Sequence, residues 1–223
     1  MGRGPMPEGG LPEALLAPLR AVAAGLAPNP PRQDFLSGVH NPFGQHALVS
    51  HAWKFLDLAE SAALLDLVEA ALGPDIVLWD SELHLAPPAL DPEEGRWWPV
   101  EPLAGAIARI ALETGAVAIA DIRRAGPTAP GHDGAQLVLR YMPASSRFNR
   151  DPRFPPNRLA AEARPLVNYA KRPLWLVRGE DRGGNDFVTG FMMPAARWTD
   201  AAWLLPGSGA GEHHDAKGGG QCR

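Results

Sequence analysis

Three side chains that can bind a metal ion recur at alternate positions of one apolar segment. Asp80, Glu82 and His84 lie in the run IVLWDSELHL, residues 76–85. In an extended strand, residues i, i+2 and i+4 project from the same face, so one strand would present two carboxylates and an imidazole together. The spacing leaves three interpretations open: a polar strand face toward solvent, the wall of a ligand pocket, and a metal site.

The strand that would position these groups is one of several predicted from period-two patterns. Its strict alternation places Ile76 and Leu78 on the same face as Asp80. Val77 and Trp79 would take the opposite face, with Ser81 and the leucines that follow. Further strands are predicted over 104–112, 115–122, 135–142 and 173–178.

Helices precede these strands. The segment 11–27 is predicted to be helical, with Pro18 kinking or splitting it. A second helix is predicted to begin with Asp57 as its N-cap and to end at Gly73 and Pro74. Helices followed by strands, without a βαβ rhythm, indicate a mainly β protein with N-terminal helices, built as an antiparallel sandwich or barrel.

Composition excludes several classes of protein. The chain has 223 residues, 45% of them hydrophobic, and a formal net charge of -4, so it can bury a core and has no basic excess for binding nucleic acid. Its single cysteine, Cys222, excludes a disulfide framework within the chain. No apolar run is long enough to span a membrane, and the N-terminus lacks the apolar core of a signal peptide. We therefore expect a cytoplasmic protein.

Four longer segments carry a family resemblance. LGPDIVLWDSELHL, GRWWPVEPLA, LVLRYMPASSRF and RPLWLVRGEDRGGNDF occur in an order that resembles phytanoyl-CoA dioxygenase-like proteins, which are Fe(II)/2-oxoglutarate-dependent oxygenases. The resemblance covers approximately Phe35 to Phe187. It implies a double-stranded β-helix, a jelly-roll-like barrel, with iron and 2-oxoglutarate bound in the barrel mouth.

The residues that this family uses for its cofactors are replaced here. The family's His-x-Asp pair corresponds to residues 92–94, which read Pro-Glu-Glu. The second histidine falls on or next to Arg123 and Arg124, and the arginine that binds 2-oxoglutarate falls near Gly134. Proline and glycine side chains carry no donor atoms, and a guanidinium cannot bind a metal cation. The resemblance therefore implies a degenerate member that needs no cofactor.

We also expect a barrel shorter than the family's, because the segments that match the family lie close together in the chain. We expect a deletion between Leu112 and Gly115, which would leave strand edges to be covered or paired. The predicted organisation is an N-terminal helix and linker over 1–34, the dioxygenase-like domain over 35–205, and a disordered tail over 206–223.

The first functional hypothesis is a protein without oxygenase activity that binds a small organic ligand or a protein partner. On the resemblance, its ligand pocket would be lined by Glu82, His84, Arg96, Trp98 and Arg140. More ordinary roles stay open for these residues, with Trp98 as barrel core and Arg140 as the partner of a surface carboxylate. Self-association into a homo-oligomer is also left open.

The second hypothesis is an active dioxygenase with rearranged ligands. Glu94, with His84 or His132, would hold Fe(II), and Arg140 would hold the carboxylate of 2-oxoglutarate. The substrate would be a small organic metabolite hydroxylated near Trp98. The competing interpretation of Glu94 is an exposed loop acid.

Overall fold

The computed structural model describes residues 10–28, 30–31, 35–42, 52–123, 130, 133–163 and 167–187. The tail over 206–223, His132 and Arg124 lie outside this part of the chain. The helices are α1 (Glu13–Leu26), α2 (Ala52–Ala59), α3 (Ala62–Leu72) and α4 (Pro155–Ala163). The strands are β1 (Phe35–Ser37), β2 (Ile76–His84), β3 (Val100–Glu101), β4 (Ala106–Ala111), β5 (Val117–Asp121), β6 (Gln136–Pro143), β7 (Arg147–Phe148) and β8 (Trp175–Arg178). None of the described helices is long and apolar enough to cross a membrane.

The main sheet has six antiparallel strands. Its order is β1-β2-β6-β4-β5. Strand β8 lies on the same side of β2 as β1: β8 pairs with the first residues of β2, and β1 pairs with the last residues of β2. A separate two-stranded sheet joins β3 and β7. A mainly β, antiparallel fold with helices is therefore confirmed. The described strands form an open sheet and not a closed barrel, so the double-stranded β-helix stays a prediction.

The helices differ in part from the sequence prediction. Helix α4 lies between β7 and β8, where no helix was predicted, so the helices are not all N-terminal. Helix α1 contains Pro18, the position of the predicted kink or split, and is not split there. The helix expected to start at Asp57 is two helices, with Asp57 inside α2 and Ser61 as the N-cap residue of α3. The predicted stop is confirmed, because Gly73 adopts a φ of 89°, a left-handed conformation in which glycine carries no steric cost.

The sheet is covered on both faces. One face packs against the helices in a cluster that includes Leu64, Val68 and Leu139, and the hydroxyl of Tyr141 donates to the carbonyl of Ala59 at 2.8 Å. The N-terminal helix contributes to the same cluster, through buried leucines of α1. The other face, called here the inner face, is the one on which three tryptophans and residues of the β3–β7 ribbon pack. Its buried residues include Trp79, Trp97, Trp98, Val138 and Phe148.

A β-bulge at Trp79 overturns the predicted face assignment of β2. Leu78 pairs with Tyr141, but the next pair along β6 is Asp80 with Arg140, so Trp79 is the extra residue of the bulge. Leu78 therefore faces the helices, while Trp79 and Asp80 both face the inner side. Strict alternation would have put Leu78 and Asp80 on one face. Because of the bulge, Leu78, in the apolar half of the strand, and Asp80, in the charged half, lie on opposite faces of the sheet.

The proposed deletion coincides with a tight turn between β4 and β5. Ile110 pairs with Val117, and the amide of Gly115 donates to the carbonyl of Ala111 at 2.8 Å. Gly115 has a φ of 71°, and an added Cβ would lie 2.7 Å from Leu16 Cδ1. The turn thus joins two neighbouring strands directly. It also contacts the segment just before α1, because the Leu11 amide donates to the Gly115 carbonyl at 3.1 Å.

Candidate functional site

A buried guanidinium lies at the centre of the inner face. Arg140, on β6 between β2 and β4, is 2% exposed. Its Nε donates to Glu94 Oε1 at 2.6 Å, and its Nη1 donates to Asp80 Oδ2 at 2.8 Å. Its Nη2 donates to Glu82 Oε2 at 3.1 Å. Three carboxylates from two elements, β2 and the 3₁₀ helix at 94–97, thus converge on one arginine.

Two more arginines complete the charge balance of this cluster. Arg109, on β4, donates from Nη2 to Glu94 Oε2 at 2.8 Å. Arg172 lies with its Nε 2.8 Å from Asp80 Oδ1 and also donates to the hydroxyl of Ser37. With Arg140, these make three guanidinium groups against three carboxylates, so the formal charges cancel. We call this cluster of six the ion-pair network.

The carboxylate of Glu82 also contacts a tyrosine and a histidine. The hydroxyl of Tyr169 donates to Glu82 Oε1 at 3.1 Å, and His84 Nε2 lies 3.1 Å from Oε2. The ring of His84 stacks on that of Phe35 at 5.0 Å. Glu82 therefore fixes the orientation of an imidazole whose side chain is 9% exposed.

Burial and charge act in opposite directions on the arginines. Burial disfavours the charged form of Arg140, but the nearby Glu82, Glu94 and Asp80 outweigh it and raise the pKa of Arg140 well above its ordinary value. Burial lowers the pKa of Arg109, because the charge of Glu94 only partly offsets the loss of hydration. Both groups stay cationic at neutral pH, since an arginine deprotonates far above this range.

A small cleft opens beside the ion-pair network. Its volume is about 30 Å³, enough for two or three waters at roughly 10–15 Å³ each. The loop that follows β2 contributes Pro88, Ala89 and Asp91 to its wall, and Val138 contributes an apolar surface. The remaining wall residues are charged or titratable, namely Glu82, His84, Glu94, Arg109 and Arg140.

The structure brings together some of the residues named from the sequence and not others. Glu82, His84, Glu94 and Arg140 all line this cleft. Arg96 does not line it, because its side chain is 61% exposed and pairs with Glu93 at 2.5 Å. Trp98 is fully buried against Trp79, with the ring centroids 4.9 Å apart, and belongs to the apolar core of the inner face.

Three of the ordinary interpretations are wrong. The alternating residues of β2 do not face solvent, since Asp80, Glu82 and His84 are 0%, 1% and 7% exposed. Glu94 is not an exposed loop acid, because it is 6% exposed. Arg140 pairs with buried carboxylates and not with a surface one. All three errors have one cause: a one-dimensional pattern cannot show that a second layer covers the charged face of the sheet.

The sequence analysis missed Arg109, Arg172 and Tyr169. Arg109 carried a usable signal, because it interrupts the apolar strand AIARIA and is 3% exposed. A charged residue inside an apolar strand must find a buried partner. Arg172 and Tyr169 gave no such signal, since they lie in and directly after a short 3₁₀ helix, Tyr169–Lys171, whose position depends on the fold.

Among the described residues, the side chains around the cleft do not have the arrangement that Fe(II) and 2-oxoglutarate need. Both oxygens of Glu94 accept hydrogen bonds from guanidinium groups, and His84 Nε2 faces Glu82. Arg140 is held by three carboxylates and is not free to bind a fourth. Among the described residues, no three His, Cys, Asp or Glu side chains are grouped as a metal site. Of the positions aligned with the family's ligands, Arg123 is exposed and pairs with Asp121.

Comparisons with known proteins give weak similarities. No protein-family model matches the chain, and no curated protein matches it. Among solved structures, the apo form of the non-heme monooxygenase ThoJ is 14% identical, with a TM-score of 0.46 over 82% of each chain. The nickel complex of ThoJ is also 14% identical, with a TM-score of 0.45 over 82% of each chain. The epimerase SnoN, in complex with Fe3+, alpha ketoglutarate and nogalamycin RO, is 15% identical, with a TM-score of 0.43 over 62% of this chain and 78% of its own.

These structural neighbours are non-heme enzymes of low identity, and values this low do not assign a family to the chain. The resemblance to phytanoyl-CoA dioxygenase-like proteins therefore stays a prediction from the sequence segments.

Proposed function

We propose that this chain binds a small organic ligand on a phytanoyl-CoA dioxygenase-like scaffold and has no Fe(II)/2-oxoglutarate oxygenase activity. The observation that carries this proposal is the position of Arg140, with a guanidinium nitrogen within 3.1 Å of each of Asp80, Glu82 and Glu94. In this proposal, arginine fills the polar centre of the scaffold, where an oxygenase would need a cation and open coordination positions.

Energetics favour the ion-pair network over a bound metal. A metal ion entering among these carboxylates would have to displace at least one guanidinium, which would then be buried without its partners. Breaking a buried ion pair costs about 3–5 kcal/mol. A non-heme iron site also needs two imidazoles and one carboxylate with open positions beside them. The described cleft wall has one imidazole, that of His84, and the carboxylates of the ion-pair network already accept charge-assisted hydrogen bonds.

The cleft supports the ligand-binding half of the proposal. Ligand sites combine an apolar surface with a few fixed polar groups. Val138 supplies the apolar surface here, and His84 and Arg109 supply polar groups held by carboxylates. Pro88, Ala89 and Asp91, from the loop after β2, complete the wall.

The second candidate is an active dioxygenase that uses Glu94 and His84 for Fe(II) and Arg140 for 2-oxoglutarate. One observation favours it: the side chains of Glu94 and His84 line the same cleft. It requires the ion pairs of Glu94 with Arg140 and Arg109 to open before iron enters.

An anaerobic titration with Fe(II), with and without 2-oxoglutarate and followed by calorimetry, separates the two candidates. We expect no stoichiometric binding, and no succinate when oxygen is admitted. Arg140→Lys is the informative variant, because it keeps the charge but removes the three-way fork that engages the carboxylates. Iron-dependent conversion of 2-oxoglutarate by the wild-type protein, abolished by His84→Ala, would refute the proposal and establish the second candidate.

A further inference from the structure

The guanidinium of Arg109 donates one hydrogen bond to a described residue. Its Nη2 donates to Glu94, and neither its Nε nor its Nη1 has a hydrogen-bond partner among the described residues. The residue is 3% exposed and forms part of the cleft wall. A buried donor without a partner costs roughly 1–3 kcal/mol, and more when the group is charged. An acceptor that satisfied these nitrogens would recover that energy.

We infer that the cleft binds a small monocarboxylate through Arg109. This inference rests on the proposed function and names the chemical class of its ligand. Carboxylate oxygens match the planar donor geometry of a guanidinium, and charge-assisted hydrogen bonds are roughly twice as strong as neutral ones. The cleft volume of about 30 Å³ accommodates the three heavy atoms of a carboxylate group.

The strand register places Arg109 where a bound carboxylate would meet few free negative charges. Arg109 and Glu82 both pair with Val138, from opposite sides, so the apolar side chain lies between them. Glu82 is engaged by Arg140 and Tyr169, and Glu94 is engaged by two guanidinium groups. The Nε–H and Nη1–H groups of Arg109 are buried donors without an acceptor among the described residues. Asp91 in the loop wall is exposed and therefore screened by solvent.

Contact between a carboxylate and the Nε or Nη1 of Arg109 requires a small movement of the arginine side chain. Nε and Nη1 are covered by protein atoms in this structure. We expect a carboxylate to reach these two nitrogens when the guanidinium turns while it keeps its hydrogen bond to Glu94. Arg140, which has three carboxylate partners, has no comparable freedom. The ligand therefore selects a rotated conformation of Arg109 and leaves the rest of the network in place.

The test is a titration of the full chain with sodium acetate in a buffer that contains a metal chelator. Binding is followed by the side-chain Nε–H resonance of Arg109, which is identified by its absence in Arg109→Lys. We expect a saturable shift, with acetamide binding at least about tenfold more weakly, since it lacks the charge. Sodium chloride at equal ionic strength should leave the resonance unchanged.

A variant of the cleft wall keeps the test independent of the ion-pair network. Ala89 is exposed and lines the cleft, whereas Ala86, on the same loop, is exposed and does not line it. Ala89→Leu should weaken acetate binding by about tenfold or more, and Ala86→Leu should leave it unchanged. An Arg109 resonance that does not respond to acetate, equal binding of acetamide, or an unchanged affinity in Ala89→Leu would each overturn the inference. Because the chelator excludes iron, a failure here is distinct from the iron binding that would refute the proposed function.

Discussion

Replacing Arg140 by methionine tests whether the ion-pair network is held together by charge compensation. Methionine retains the apolar stem, so the substitution removes the guanidinium and its three contacts, at 2.6, 2.8 and 3.1 Å. The network then holds three carboxylates against two guanidinium groups. Removing one partner from a buried ion pair costs about 3–5 kcal/mol, a large share of the roughly 5–15 kcal/mol that stabilises a typical domain.

A second substitution should restore part of the stability that Arg140→Met loses. Glu82→Gln in the Arg140→Met background leaves two direct pairs, Asp80 with Arg172 and Glu94 with Arg109, each at 2.8 Å. The amide oxygen of the new glutamine still accepts from the neighbouring tyrosine hydroxyl. With formal charges again balanced, we expect the double variant to be more stable than Arg140→Met by about 1–2 kcal/mol.

Urea denaturation at neutral pH, followed by tryptophan fluorescence, measures these differences. Arg153→Met is the matched control, because the side chain of Arg153 is 89% exposed and its pair with Asp151 lies at the surface. We expect no measurable change in that control. A loss below about 1 kcal/mol in Arg140→Met, or a double variant no more stable than the single one, would show that compensation does not hold the network together.

Two further predictions concern stability outside the network. Burial, and to a smaller extent the charge of Arg172, lowers the pKa of His40 from its ordinary 6.5 to about 3. Between these two pH values the histidine is protonated in the unfolded chain and neutral in the folded chain. Stability should therefore fall as pH drops below about 6.5, by about 2 kcal/mol at pH 5, and this slope should be absent in His40→Gln when urea midpoints are compared across pH. Gly105→Ala should cost about 1–3 kcal/mol in thermal or urea unfolding, because a Cβ there would lie 2.1 Å from Trp98 Cζ3. Gly25→Ala, where nothing lies within 4 Å, should instead gain about 0.5–1 kcal/mol, and equal effects at the two glycines would contradict the packing argument.

Local pattern was sufficient for five of the eight described strands, all but β1, β3 and β7, and for part of the site. The period-two run at residues 76–85 predicted a strand with Asp80, Glu82 and His84 on one face, and the structure places all three on the inner face. It did not predict the bulge at Trp79, because an extra residue in a ladder depends on the partner strand. The face assigned to Leu78 was therefore wrong, although the strand itself was right.

The balance of charges inside the molecule depended on contacts far apart in the chain. The amino-acid sequence establishes an antiparallel, mainly β chain with helices before it, since periodicity and helix stop signals are local properties. It also shows that carboxylates and arginines are present in apolar segments. Only the tertiary structure determines which carboxylate meets which guanidinium, because Arg140 reaches partners 46, 58 and 60 residues away in the chain. Burial then makes those pairings decisive, since an ion removed from water is tolerated only beside its counter-charge.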